Sequence, residues 1–466
     1  TYTVTNTNDS GLGSLRAAVA SANSTADNDV IVFNISGCPN GVCTVVLTSG
    51  EMGINAATSS GRLTISNPAG PQSVVIRGDN ESRIFYINGG AHFTINGVTM
   101  ENGAGFEILD LGAGGALLNY GYSEISNSIL RNNIANYGGS VANLGGFMVI
   151  NKSEIINSQA LVSGGGIYNL DGTLQVLDST IANNISGWEF GQGFGGGMAI
   201  IAQSNSSWTA TIANCTLSGN EAISPEIGVA VGGAVFLANG LTPVHFINVT
   251  VTQNSAADAG GAVAGDGLVG ASMYVRNSIF AGNTAGSYPD ISTNTVLVND
   301  LGNNIIGQPA LLGPLADNGG PTRTHALLPG SPAINAGNNC VLTANGCGDG
   351  NPALSFDQRG TGRVGTVDIG AYEYAVVALY TITGRVAGVS GRPVNGARVR
   401  LDDGAGNVRL ALTSSFGYFR FENVPPASYT AAVTSKRYTF APRVFALGSN
   451  LDDIDFTAIE PEKERR

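Results

Sequence analysis

The sequence predicts an all-β protein, a parallel β-helix with an N-terminal cap followed by a smaller β-sandwich. Three observations predict it. Gly makes up 66 of 466 residues while charged residues reach only 12% and hydrophobic ones 43%. That mixture fits many short strands joined by tight turns better than disorder, which lacks regularly placed Val, Ile and Leu. One unit recurs from residue 89 to 285. After Tyr374 the pattern changes to short alternating strands with turn punctuation.

The chain starts at Thr1 with no charged-then-apolar leader, which reads as a mature secreted product after signal-peptide removal. Tyr2-Thr3-Val4-Thr5 alternates like a strand. Ser14-Leu15-Arg16-Ala17-Ala18-Val19 reads as a short amphipathic helix with Ser14 as N-cap. Together they suit a cap, because an open β-helix end exposes a sheet edge and an apolar interior. Cys38 and Cys43 flank a Pro-Asn-Gly turn, and Cys340 and Cys347 flank a second short loop. Two local disulfides of an oxidising compartment are expected, with Cys215 left over inside a repeat. The three His sit far from both pairs, so no metal site is expected there.

The repeat consists of a Gly pair, an apolar stretch, Asn, five residues and Asn again. Its pairs are Asn96/Asn102, Asn127/Asn133, Asn151/Asn157, Asn214/Asn220, Asn248/Asn254 and Asn277/Asn283, with Asp178/Asn184 as a variant. Spacing within a pair is fixed and spacing between copies varies, as in a solenoid. Two residues before the first Asn stand Ile125, Val149, Val176, Ile212, Phe246 and Val275. Period-two alternation from these points Asn96, Asn127, Asn151, Asp178, Asn214, Asn248 and Asn277 inward as a structural ladder. Leu130, Ile181, Leu217, Val251 and Phe280 follow three residues later, out of phase, which requires a bend. Asn tolerates the left-handed region a bend needs. Thr94, Thr99 and Glu154 break the columns. The Gly pairs at 114–115, 138–139, 164–165, 195–196, 232–233 and 260–261 permit positive φ and close approach of coils. No phosphate-cradle Lys-Ser/Thr follows them.

Units such as Gly260-Gly261-Ala262-Val263 and Phe280-Ala281-Gly282-Asn283 resemble pectate-lyase-like right-handed β-helices, and also the passenger repeats of chlamydial polymorphic outer-membrane proteins. The resemblance spans roughly residues 60–310, and it implies a fold rather than an activity. The Ser-Leu-Arg opening is similar to the cap of bacterial secreted β-helix proteins. Pro314-Leu315-Ala316-Asp317-Asn318-Gly319-Gly320-Pro321-Thr322, Pro329-Gly330-Ser331-Pro332-Ala333-Ile334-Asn335-Ala336-Gly337, Asp357-Gln358-Arg359-Gly360 and Asp368-Ile369-Gly370-Ala371-Tyr372-Glu373 resemble a choice-of-anchor Q region, which implies surface display. Within it Asp357, Arg359, Arg363 and Asp368 read as buried ion pairs closing the last coils. Thr381-Ile382-Thr383-Gly384-Arg385-Val386, Ser415-Phe416-Gly417-Tyr418-Phe419-Arg420-Phe421 and Val424-Pro425-Pro426 resemble a carboxypeptidase regulatory-like (transthyretin-like) domain, a spacer with no catalytic residues. The expected organisation is a cap and first coils at 1–59, repeat body at 60–312, choice-of-anchor-like end at 313–375, sandwich at 376–459 and charged tail at 460–466.

A net charge of −12 without basic clusters argues against nucleic acid as a partner, and no apolar run is long enough to span a bilayer. Glycoside hydrolysis needs paired carboxylates, and lyase chemistry needs a base with charge neutralisation. The repeat offers scattered acids (Glu101, Glu107, Asp110, Glu124, Glu154, Asp171, Glu189, Glu221, Glu226, Asp258, Asp266) and isolated His92, His245 and His325. No catalytic residue, metal or cofactor is assigned. Trp188, Phe190, Trp208 and Tyr288 fall in loops, where aromatics stack on sugars or cover an apolar wall. The sequence therefore points to a non-catalytic extracellular or cell-surface protein, structural or adhesive, suited to a head-to-tail filament of identical subunits. The alternative is a carbohydrate-active β-helix that binds or cleaves polysaccharide.

Overall fold

The computed structural model describes residues 1–55, 61–106, 111–188, 191–203, 208–225, 228–238, 243–267, 271–348, 352–374, 379–404 and 406–461. The chain divides into two compact units, with the boundary after Tyr374.

The first unit is a parallel β-helix. Among the described residues its coils stack into four parallel sheets: sheet A of 11 strands, sheet B of 10, sheet C of 8 and sheet D of 9. One coil shows the local rule. Phe147–Asn151 lies in sheet A, Glu154–Ile156 in B, Gln159–Ser163 in D and Ile167–Leu170 in C, before Thr173–Leu177 re-enters A. Its four corners are Lys152, Asn157, Gly164 and Asp171, all left-handed, with φ of 48°, 54°, 67° and 50°. Each reverses the alternation, so the next strand again points apolar side chains inward.

The interior is a continuous column of aliphatic residues in register, and each fully buried Val, Leu or Ile contributes on the order of 1.5–3 kcal/mol. Leu130, Ile181, Leu217, Val251 and Phe280 are all fully buried, as their pattern predicts. Two coils are shifted by one residue, which explains the apparent exceptions. Ile95 and Met100 fill the inward sites next to Thr94 and Thr99, and Ile150 and Ile155 fill those next to Val149 and Glu154.

The glycine pairs divide the work as expected. Gly164 takes the left-handed conformation. A Cβ on Gly165 would stand 2.1 Å from the Gly196 carbonyl oxygen of the next coil. At the N-terminus Ser14 Oγ accepts from the Ala17 amide at 3.2 Å, and helix Leu15–Ala22 lays Leu15, Ala18, Val19 and Ala22 over the first coil. Cys38–Cys43 and Cys340–Cys347 are disulfides, and Cys215 is free and buried.

Residues 313–374 add no rung to the four sheets. Leu312–Ala316 pairs antiparallel with Thr324–Leu327, and the segment returns as a strap along the outer face of sheet B.

The second unit packs two sheets around Ile382, Val386, Val399, Leu401, Phe419, Phe421 and Phe456. Tyr380–Ala387, Tyr418–Val424 and Phe456–Thr457 form one sheet. Arg398–Asp402, Val408–Leu412, Ser428–Thr434 and Arg443–Ala446 form the other. Glu460–Pro461 pairs with Tyr438–Thr439, and the rest of the charged tail lies outside the described residues. Among the described residues no helix is long and apolar enough to cross a membrane.

Candidate functional site

The first asparagine column is not an inward ladder. Asn127, Asp178, Asn214, Asn248 and Asn277 occupy the left-handed corner between sheets A and B, with φ between 45° and 53°. There the alternation breaks, so the corner side chain points outward and its successor turns in. Asn127 is exposed, whereas Ser128, Ser153, Ser179, Cys215 and Ser278 are buried. Asn96 and Asn151 stand one residue earlier, opposite Ser126 at the strand end, because their coils carry the one-residue shift. The column bonds in pairs. Asn127 donates to Asn96 at 2.7 Å, Asn214 to Asp178 at 3.1 Å and Asn277 to Asn248 at 3.3 Å.

Four of the second asparagines form an inner ladder, while Asn102 and Asn157 stand at left-handed corners and Asn157 is exposed. Asn184 donates from Nδ2 to Asn220 Oδ1 at 3.0 Å, Asn220 to Asn254 at 2.9 Å and Asn254 to Asn283 at 2.8 Å. The ladder ends on Asp290, which accepts from Asn283 at 2.7 Å. A third ladder, Asn119 to Asn143 to Asn169 at 2.7 Å each, closes the corner between sheets C and A. Its signal was present: each of the three Asn follows an apolar strand and precedes a Gly by two or three residues.

Asn214, Asn248 and Asn277 are buried because the strap covers them. Asn214 Nδ2 donates to the Phe356 carbonyl at 2.8 Å, and Asn214 Oδ1 accepts from Arg363 at 3.0 Å. Asn277 exchanges bonds with Asn338. Arg363 pairs with Glu373 at 3.0 Å, with side chains 0% and 6% exposed. Arg359 pairs with Asp357 at 2.7 Å and lies over the Tyr372 ring at 3.6 Å. Asp368 accepts from the amides of Asn335 and Tyr374. Burial raises the Asp368 and Asp178 carboxyls above their usual range and lowers the Arg363 guanidinium. Arg359–Asp357 and Arg363–Glu373 are buried ion pairs within the strap, Asp368 is held by main-chain amides, and Arg363 ties the strap to the flank through Asn214. Gln358 bridges Thr180 and Thr216 beneath it. Arg323 reaches Glu154, and His325 contacts Ser218 Oγ at 2.9 Å.

The loop aromatics do not meet as one platform. Trp188 is 51% and Tyr288 41% exposed, both beyond sheet D but three rungs apart, and half-buried Trp208 leads into sheet A. Phe190 lies outside the described residues, as do Glu107, Asp110, Glu189 and Glu226. A different aromatic cluster forms where the outer faces of sheets C and D fold toward each other. Tyr137 packs on Tyr168 at 5.0 Å and Phe194 on Phe236 at 4.9 Å, and the cluster continues on the outer face of sheet C, where Tyr86 packs on Tyr120 at 5.7 Å. Tyr168 is nearly sealed, and burial pushes its hydroxyl up to about 12. Tyr86, Tyr120, Tyr137 and Phe194 stay half-exposed. The Gly pairs were the overlooked signal: Tyr137 and Phe194 directly precede one, and Tyr168 and Phe236 lie four residues after its first glycine. On sheet A, His92, Tyr122 and Phe147 stack ring on ring at 5.3 Å, which leaves mainly ring edges for a ligand. No group of His, Cys, Asp or Glu among the described residues is arranged to hold a metal ion.

Residues 381–457 match the family model of the carboxypeptidase regulatory-like domain. No curated protein matches the chain. Among solved structures, pectate lyase Pel9A is 14% identical over 80% of this chain and 96% of its own, with a TM-score of 0.40. The Bacillus anthracis TIE protein is 11% identical over 18% of this chain, with a TM-score of 0.16, and the match spans only 17% of that structure. Neither likeness extends to chemistry.

Proposed function

We propose that this chain is a secreted, non-catalytic surface protein whose β-helix serves as a rigid structural or adhesive body. One observation carries the reading. Asp357, Arg359, Arg363, Asp368 and Glu373, a close group of acids and bases, are tied up within the strap, and Arg363 is tied to the helix flank beneath it. A general acid or base must reach its substrate, and a carboxylate 0% exposed, as Asp357 is, does not. The two disulfides agree with an oxidising, extracellular setting. A filament of such subunits needs contacts between copies, which electron microscopy of native material at high concentration tests directly. The non-catalytic reading is tested by reducing-sugar and unsaturated-uronate assays over a glycan panel. Turnover lost on mutating one carboxylate pair would overturn it.

A second reading, polysaccharide binding, is favoured by the half-exposed rings of Tyr137 and Phe194 at the seam between sheets C and D and of Tyr86 and Tyr120 on the outer face of sheet C. Aromatic rings beside polar side chains suit a neutral sugar chain. A glycan array with the native protein and Tyr137→Ala tests it, and equal signals from both would remove the seam from consideration.

A further inference from the structure

The two units differ sharply in charge. Residues 1–374 carry 10 Lys and Arg against 25 Asp and Glu, whereas residues 375–466 carry 12 against 9. The sandwich also leaves one sheet face open. Val408, Leu410, Leu412 and Val444 are 43%, 58%, 67% and 75% exposed on the outer side of its four-stranded sheet. The register puts Arg400 beside Leu410 and Arg398 beside Leu412 on the neighbouring strand. Arg400 is shared with Asp402, while Arg398 has no ion-pair partner among the described residues. Strand Val408–Leu412 pairs on one side only, so it is an edge strand with aliphatic side chains and a single charge, Arg409. Edges of this kind are normally blunted or covered.

The last coil of the β-helix has the complementary character. Residues 277–312 contain Asp290 and Asp300 and no Lys or Arg, while Arg276 of the preceding strand donates to the Leu301 carbonyl at 3.1 Å. Strands Thr284–Ser287 and Leu297–Asp300 end their sheets with one side unpaired. Leu297 is 65% and Tyr288 41% exposed there. This end thus offers anionic groups beside exposed apolar side chains, opposite in sign to the sandwich face.

We propose that the open sandwich face, centred on Arg398, Arg400, Leu410 and Leu412, docks on the acidic last coil of the β-helix in a second copy of the chain. Aliphatic contact supplies the apolar part of such an interface, and opposite charge sets partner choice and orientation. The proposal rests on the structural reading above and supplies its contact between copies.

Sedimentation velocity of the full chain over a range of concentration and salt is the test. Association is expected to rise with concentration and to weaken about tenfold when salt goes from about 0.1 to 0.5 M, as screening of exposed charges requires. Arg398→Glu/Arg400→Glu and, separately, Leu297→Arg each weaken self-association about tenfold or more, through loss of charge complementarity. An equimolar mixture of the two variants recovers a heteromeric complex, because the intact sandwich of one meets the intact last coil of the other. Leu410→Asn, exposed and uncharged, weakens association and leaves its salt dependence unchanged. Monomers at every concentration overturn the proposal. So does association that strengthens with salt, which means edge-to-edge pairing of sandwiches, and so does a mixture that fails to recover. Glycan turnover by the native chain would overturn the non-catalytic reading and leave these sedimentation outcomes unaffected, so the two failures are distinguishable.

Discussion

Asn220 and Asn254 sit one above the other in adjacent coils, both fully buried, and Asn220 gives Asn254 Oδ1 two hydrogen bonds at 2.9 Å, from Nδ2 and from its main-chain amide. The same pair of hydrogen bonds runs from Asn184 to Asn220 and from Asn254 to Asn283. One side chain therefore satisfies an amide and a peptide group of its neighbour in a place water does not reach.

Asn220→Leu removes the acceptor for two buried donors of Asn184 and fills the site with a branched side chain. Leaving a buried donor unmade costs about 1–3 kcal/mol, so a loss of about 2–4 kcal/mol is expected. Asn127→Ala, at the exposed part of the outer column, gives up one bond to Asn96 and a tolerated left-handed residue, for about 1–2 kcal/mol. Urea midpoints of the two variants give the ranking, and equal losses would refute the distinction between columns.

Gly165→Ala is expected to prevent normal stacking, since its Cβ meets the Gly196 carbonyl oxygen at 2.1 Å and the backbone of Ile185 at 2.6 Å. Gly145 has the same positive φ as a corner residue, 72°, but open space around its Cβ position. Gly145→Ala should therefore cost only the left-handed strain, about 1–2 kcal/mol. Thermal unfolding of both variants separates close approach from backbone conformation as the reason for glycine.

The stack itself was legible because its signals are local. Gly pairs, a fixed Asn-to-Asn spacing and the inward columns at Leu130, Ile181 and Leu217 each follow from one coil's geometry. The direction of the first Asn was not. Alternation counted from Ile125 runs through Asn127, yet a left-handed residue at that position turns the phase, and Ser128 rather than Asn127 enters the interior. Two coils offset by one residue hid the error, since Asn96 and Asn151 keep the six-residue spacing while standing at another corner position. The strap was beyond sequence reasoning for a different cause. Its partners are 60–180 residues away, as in Asn338 with Asn277 and Gln358 with Thr180, and nothing periodic links them.

His325 gives the strap a pH dependence of known sign. Burial holds its imidazole below the usual value of 6.5, partly offset by its bond to the Gly313 carbonyl. The folded protein thus keeps His325 neutral where the unfolded chain already takes up a proton, so stability falls as pH drops below about 6.5 and levels off once the folded form protonates as well. Burial raises Asp178 and Asp368, and those groups act in the opposite sense, favouring the fold as pH falls toward their unfolded value of 3.8. His325→Gln should flatten the slope of denaturation midpoint against pH just below about 6.5 without moving the acid limb. An unchanged slope would show that His325 is not the group responsible.

Breaking the Arg363–Glu373 pair should loosen the strap while the coils beneath it stay stacked. Glu373 also accepts from the amides of Val364 and Asp368, and Arg363 donates to Asn214 and the Gly370 carbonyl, so Glu373 ties the strap to itself and Arg363 also ties it to the flank. Removing one partner leaves the other buried and uncompensated, at a cost of about 3–5 kcal/mol. Arg363→Met leaves Glu373 in that position, and Arg363→Met/Glu373→Met removes the orphaned charge and should recover part of the loss, because two buried charges give way to apolar side chains. Since sheets A to D keep their own ladders, the effect should be local. Hydrogen exchange in Arg363→Met is expected to rise across residues 313–374 and to stay low at Ile150, Val176 and Ile212 in the interior of sheet A. Equal acceleration in both regions would mean that the strap and the helix unfold as one unit, and that the buried charges hold the whole body rather than its flank.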